Sequence, residues 1–171
     1  MSCSIFGATL ILLYAASTLY HSVQYQPAKR VLRVFDHMAI FFLIAGTYTP
    51  FLLINMRGTL GWFFFGVIWG LTAVGIILQV YLLRRNHSIL PVVLYIAMGW
   101  LIVLIIKPLI AAIPTIGFVY LLAGGLTYIL GIVFYGWKGL PYHHAIWHVF
   151  VLAGSTFHFF SVFYSVIPSV A

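Results

Sequence analysis

In a chain of 171 residues, 64% are hydrophobic and 5% charged, and the mean hydropathy is +1.16, which excludes a water-soluble globule because too little polar surface exists to cover one. Eight Lys and Arg stand against a single acidic residue, Asp36; they sit in short gaps between apolar runs, where phospholipid headgroups lie, so the expected partners are membrane lipids and not nucleic acid. One cysteine, Cys3, can form neither an internal disulfide nor a Cys-rich zinc cluster, so any metal must rely on His and Asp.

Six apolar runs follow in order: residues 4–22, 36–56, 60–83, 89–106, 115–136 and 142–167. A bilayer core needs about 20 apolar residues as helix, so each run can span and the whole reads as an all-α integral membrane protein of six transmembrane helices. The first run lacks a basic start and a small-residue cleavage site, and is read as a span and not as a signal peptide. In the second, AGTYTPF (45–51) is expected to kink the helix at Pro50, a nearby Thr helping to satisfy the freed carbonyl. GVIWG (66–70) in the third reads as packing within the bundle. Pro91, Pro114 and Pro141 fall near run starts, where a missing N–H costs little. Without repeats, low-complexity tracts or linkers, residues 1–171 are expected to form one membrane-embedded domain.

The gaps alternate between the two sides of the membrane. One side collects Lys29, Arg30, Arg33, Arg84, Arg85 and Lys138, the other Arg57 and Lys107, and the positive-inside rule puts the richer side in the cytoplasm. Six spans then leave both termini outside, which is awkward for an amino terminus that enters its first span at once; an additional upstream helix would resolve it.

On the cytoplasmic side, His21 closes the first run, Asp36 opens the second, and His144 with His148 opens the sixth. Residues i and i+4 share a helix face, so His144 and His148 can aim at one point, and Ser17 and His21 have the same spacing. Zn(II) takes imidazole nitrogens readily, and three His plus one water is the donor set of an open catalytic site; Asp36 can orient that water or hold an imidazole in place. The bland reading is that a lone interfacial His packs or hydrogen-bonds, and that H-x-x-x-H is a modest motif without the Glu of H-E-x-x-H. Against it, ionisable groups inside spans are costly and usually functional, and four at one depth include the only carboxylate. His158, about 15 Å further along its helix, reads as a buried, hydrogen-bonded histidine or an interhelical contact; His37, turned about 100° from Asp36, as support or packing; His143 as interfacial and His87 as a loop residue. Lys29, Arg30 and Arg33 are expected to meet lipid headgroups or attract an anionic substrate head.

STLYH, FDHMAIFFLIAGTYTPF, AMGWL and PYHHAIWHVFVLAGSTFHF together resemble the bacterial hemolysin III family, within the progestin and adipoQ receptor superfamily, over nearly the whole chain. The resemblance implies a seven-helix membrane protein, of which the six runs correspond to helices 2–7, with zinc near the cytoplasmic face. Carried onto this sequence, the ligands are His21, His144 and His148, the serine one turn before the first of them is Ser17, and the third-helix Asp is Asp36. Members usually begin with a cytoplasmic Glu- and His-containing segment and a first helix, which this sequence does not show. By likeness to the receptor and alkaline ceramidase relatives, the expected activity is zinc-dependent hydrolysis of a lipid amide or ester carrying an acyl chain, with Asp36 as base or water-orienter and Ser17 as a supporting or oxyanion donor. Two alternatives belong to other classes: a pore-forming cytolysin, which needs polar lining through the full depth of the membrane, and a zinc-stabilised, receptor-like sensor or regulator of membrane lipid composition.

Overall fold

A computed structural model of the chain describes residues 1–81 and 89–167, and every regular element among them is helical. Arg84, Arg85 and His87 lie outside the described residues. In order the elements are α1 (Ser2–Ser22), α2 (Gln26–Pro50), a π-helical turn (Phe51–Asn55), α3 (Thr59–Tyr81), α4 (Leu90–Trp100), a 3-10 turn (Leu101–Ile105), α5 (Ile106–Ala112), α6 (Thr115–Gly136) and α7 (His143–Ser165). Six helical stretches are long and apolar enough to cross a membrane, α2 with its π turn counting as one and Leu90–Ala112 as another. Helix is the form that these runs must take in lipid, because it satisfies each backbone N–H and C=O within the segment.

The chain divides into two compact units, Met1–Ile106 and Lys107–Ala171. In the first, α2 is central: 56% of its spanning window is buried, against 17% for α3. The α1 stripe Phe6, Thr9, Leu13 and Ala16 is buried at alternating three- and four-residue steps. Gly46 of α2 lies so close to Thr9 that a Cβ there would collide with its side chain. On its other faces α2 is tied by hydroxyl and indole donors. Tyr95 Oη donates to the His37 carbonyl at 2.9 Å, Tyr48 Oη to the Met98 carbonyl at 3.0 Å, and Trp69 Nε1 to Thr49 Oγ1 at 3.2 Å. Such bonds hold helices together where lipid supplies no hydrophobic drive for association.

Four expectations need correction here. α2 begins at Gln26, ten residues before the apolar run, so Asp36 does not open the helix but lies about 15 Å along it. Hydropathy missed the first three turns because Lys29, Arg30 and Arg33 interrupt it, although Pro27 in the first turn marks the start. At Pro50 the helix passes into the π turn, and Thr47 and Thr49 donate to the Leu43 and Ala45 carbonyls, not to that of Gly46, which the proline frees. Lys107 lies inside helical Leu90–Ala112 and not in a gap, since apolar residues continue beyond it and a long side chain can carry its charge outward. Gly66 and Gly70 have nothing within 4 Å of a would-be Cβ, so GVIWG does not pack within the described residues. The α3 glycines that do pack are Gly75, against the Phe41 ring, and Gly61, against the Leu52 and Met56 carbonyls. Gly58, at φ 122°, makes the turn into α3 in a conformation that only glycine adopts easily.

The second unit is dominated by antiparallel α6 and α7. Gly117, Gly124 and Gly131 recur every seven residues along α6 and meet, in turn, Ser165, His158, and Trp147 with Phe150. Ser161 Oγ donates to the Gly117 carbonyl at 2.7 Å, and Tyr128 Oη shares a 2.9 Å hydrogen bond with Ser155 Oγ. From α7, Gly154 packs reciprocally on the Tyr128 ring. A seven-residue period of small residues keeps one seam of a helix facing its neighbour and fixes the register.

Gly61→Ala drives a methyl into backbone carbonyls that cannot rotate away, and is expected to destabilise the detergent-solubilised protein by about 1–3 kcal/mol. Gly66→Ala, facing open space, is expected to change stability by less than about 1 kcal/mol, on the stabilising side. Thermal unfolding of the two variants beside wild type checks the contrast; equal losses would refute the packing assignment.

Candidate metal centre

The sixth run enters its helix through an unusual turn. Pro141 precedes Tyr142, whose φ of 59° is the only positive φ outside glycine among the described residues. A bulky residue in the left-handed region costs on the order of 1–3 kcal/mol. The turn is held by His143 N–H donating to the Leu140 carbonyl at 3.2 Å and Ile146 N–H to that of Tyr142 at 3.0 Å. It starts α7 at His143, so His144 lies in the first turn and His148 in the second.

Their rings meet. Nε2 of His144 and Nε2 of His148 are 3.1 Å apart, with ring planes at 90° and centroids at 4.7 Å. At this separation one ring can donate an N–H to the other. The same spacing suits a metal: with nitrogen–zinc bonds of about 2.0–2.1 Å, nitrogens 3.1 Å apart subtend roughly 100° at the ion, near the tetrahedral angle. Both histidines are half-buried. Tyr135 of α6 lies beside them, its ring centroid 6.2 Å from His144 and 5.5 Å from Trp147, so the glycine seam that docks Trp147 also sets the height of the pair.

Within the first unit, His21 lies exposed in the last turn of α1, its ring edge-on to Tyr20 at 4.7 Å. Ser17 is half-buried one turn earlier, and Asp36 is half-buried in α2. His37 Nδ1–H donates to the Arg33 carbonyl at 2.6 Å, which holds its ring against its own helix. In the second unit, His158 is buried between Gly124 and Tyr128, an interhelical contact as the sequence suggested. His143 is half-buried beside His144. The sequence reading missed Tyr135 and the glycine seam; the signal was present in the G-x6-G-x6-G spacing of residues 117–131.

The sequence model of the family described as Haemolysin-III related matches residues 1–159. The chain is 46% identical over 168 residues to Hemolysin-3 of Bacillus cereus, which covers 98% of this chain and 76% of that protein. It is likewise 46% identical over 164 residues to the Hemolysin-3 homolog of Bacillus subtilis (strain 168), covering 96% and 76%. Monocyte to macrophage differentiation factor of Homo sapiens is 31% identical over 164 residues, covering 92% and 67%. No solved structure matches the chain.

If the imidazole pair holds a divalent cation, His144→Ala and His148→Ala each lower metal affinity by about 100-fold or more, since even an outer partner of a ligand is worth 10–100-fold. His158→Ala, a turn-rich distance away, is expected to keep the metal. Elemental analysis of the three detergent-purified variants beside wild type checks this, and metal retained without either histidine of the pair would refute it.

Proposed function

The chain belongs to the Haemolysin-III related family and is a multi-pass membrane protein, and from that premise we propose that it is a zinc-dependent hydrolase of lipid amides or esters in the cell membrane. The observation that carries this reading is the 3.1 Å approach of the His144 and His148 nitrogens. We assign His21 as the third ligand. Six alternating spans return the end of the first and the start of the last to the same face, and the excess of basic residues argues that this face is cytoplasmic. A zinc ion held there supplies Lewis-acid polarisation of a carbonyl and a water that ionises near neutral pH.

The chain's own residues supply the rest. Asp36, its only side-chain carboxylate, takes a proton from the attacking water and returns it to the leaving amine or alcohol. The water oxygen bonds to the acyl carbon, the C–N or C–O bond breaks, and a fatty acid leaves. Ser17, one turn before His21, donates a hydrogen bond to the carbonyl oxygen as negative charge builds on it. The apolar helices accept the acyl chain from the bilayer.

Zinc-loaded protein is expected to turn over members of a ceramide and lysolipid panel. His148→Ala abolishes turnover with loss of zinc, Asp36→Asn lowers kcat by about 10²–10⁴ while zinc stays bound, and Ser17→Ala lowers it by about 10². A zinc-loaded wild type inert across the panel would sink the hydrolase reading. The name of the Bacillus relatives favours one second reading, membrane lysis. Dye release from liposomes separates the two: leakage that persists when His21, His144 and His148 are all replaced supports a pore.

A further inference from the structure

Where α1 hands over to α2, the first unit holds an open cavity of about 130 Å³ lined by Tyr20, Gln26, Lys29, Arg30 and Arg33. We propose that this cavity is a binding site for a phosphoryl group, a reading that does not depend on the hydrolase chemistry proposed above. Four observations converge on an anion with several oxygens.

The first is charge. Three cations line one cavity, and the chain has one side-chain carboxylate in all, so the lining carries a net positive charge that favours an anion. The second is backbone polarity. These cations occupy the opening turns of α2, a 25-residue helix with no acidic residue in its first turn and no side-chain cap. Anions are favoured at the positive end of a helix dipole, within about the first turn, where the lining residues Gln26 and Lys29 lie.

The third is arrangement. Lys29 and Arg33 are one turn apart on the same face, with Arg30 beside them, and Lys29 Nζ lies 5.7 Å from the centre of the Tyr20 ring, which holds it toward the cavity. Guanidinium forks match the oxygens of a phosphoryl group in paired hydrogen bonds, a geometry that a chloride ion cannot use. The fourth is size and lining. Roughly 130 Å³ has room for a phosphoryl group with some of its water but not for an acyl chain, and no aliphatic side chain lines it. The ligand's apolar part, if it has one, must lie outside.

Two sources carry this chemistry: the headgroup of a phosphatidic-acid-like lipid and a soluble phosphate. The test titrates full-length protein in neutral detergent with inorganic phosphate and, separately, with dioctanoyl phosphatidic acid. Dioctanoylglycerol and chloride at matched ionic strength serve as controls, and thermal stabilisation and native mass spectrometry are the readouts. Phosphatidic acid, phosphate or both are expected to bind where the controls do not. Arg30→Gln with Arg33→Gln is expected to weaken binding by about tenfold or more, Arg33→Lys to weaken it less while keeping the charge, and Arg57→Gln to change it by less than about twofold. Phosphatidic acid that tens of millimolar phosphate cannot displace identifies the lipid headgroup; displacement identifies a site open to soluble phosphate. The proposal is overturned if chloride stabilises as well as phosphate, if neither probe binds, or if the Arg30→Gln, Arg33→Gln variant, folded by circular dichroism, binds as wild type does.

Discussion

Close approach of helix backbones is the constraint on which this molecule depends. In lipid, an apolar helix gains nothing by hiding its leucines, because the acyl chains are as apolar as they are. Association has to come from dispersion at short range and from hydrogen bonds across the contact, and both need side chains small enough to let backbones near. Gly117, Gly124 and Gly131 meet this need on α6, and Gly46, Gly61 and Gly75 meet it in the first unit. At each, the neighbour occupies the space of the missing Cβ. The bonds that follow, Ser161 to the Gly117 carbonyl or Trp69 to Thr49, are possible only because the helices are already that close.

The histidine pair inherits its precision from this packing. Two imidazoles at i and i+4 have many rotamers, and in an isolated helix most of them would not place nitrogens 3.1 Å apart. Here the α7 register is fixed by the seam, Trp147 is seated on Gly131, and Tyr135 stands against His144, which narrows the choice. Both facing nitrogens cannot carry hydrogen at that distance. A cation held between them would need both lone pairs, so the hydrogen of the donating ring would have to sit on its Nδ1 instead.

Much of this was legible in the residues. The run at 115–136 coincides with α6 because Pro114 and the Gly136–Trp137 turn bound it sharply, and His144 with His148 was readable from helical spacing alone. The start of α2 was not, because a hydropathy window sees Lys29, Arg30 and Arg33 as a gap, whereas a helix tolerates charges wherever it emerges among headgroups. GVIWG was misread for a related reason: a five-residue glycine pattern reports that a backbone is bare, not which way it faces, and Gly66 and Gly70 face away from any neighbour among the described residues. The informative pattern was the seven-residue one, whose period matches a helix contact sustained over several turns.

Two places break local rules, and each lies at the start of a helix. Tyr142 holds a left-handed conformation that glycine would adopt without strain, and Lys29 closes a first turn of α2 whose dipole favours anions. Neither is the choice that local propensity alone favours, although cations on a helix that emerges among headgroups suit the membrane surface. The strained turn sets the first residue of α7, and with it the position of His144 in the opening turn; a register shifted by one would swing both imidazoles about 100° around the helix.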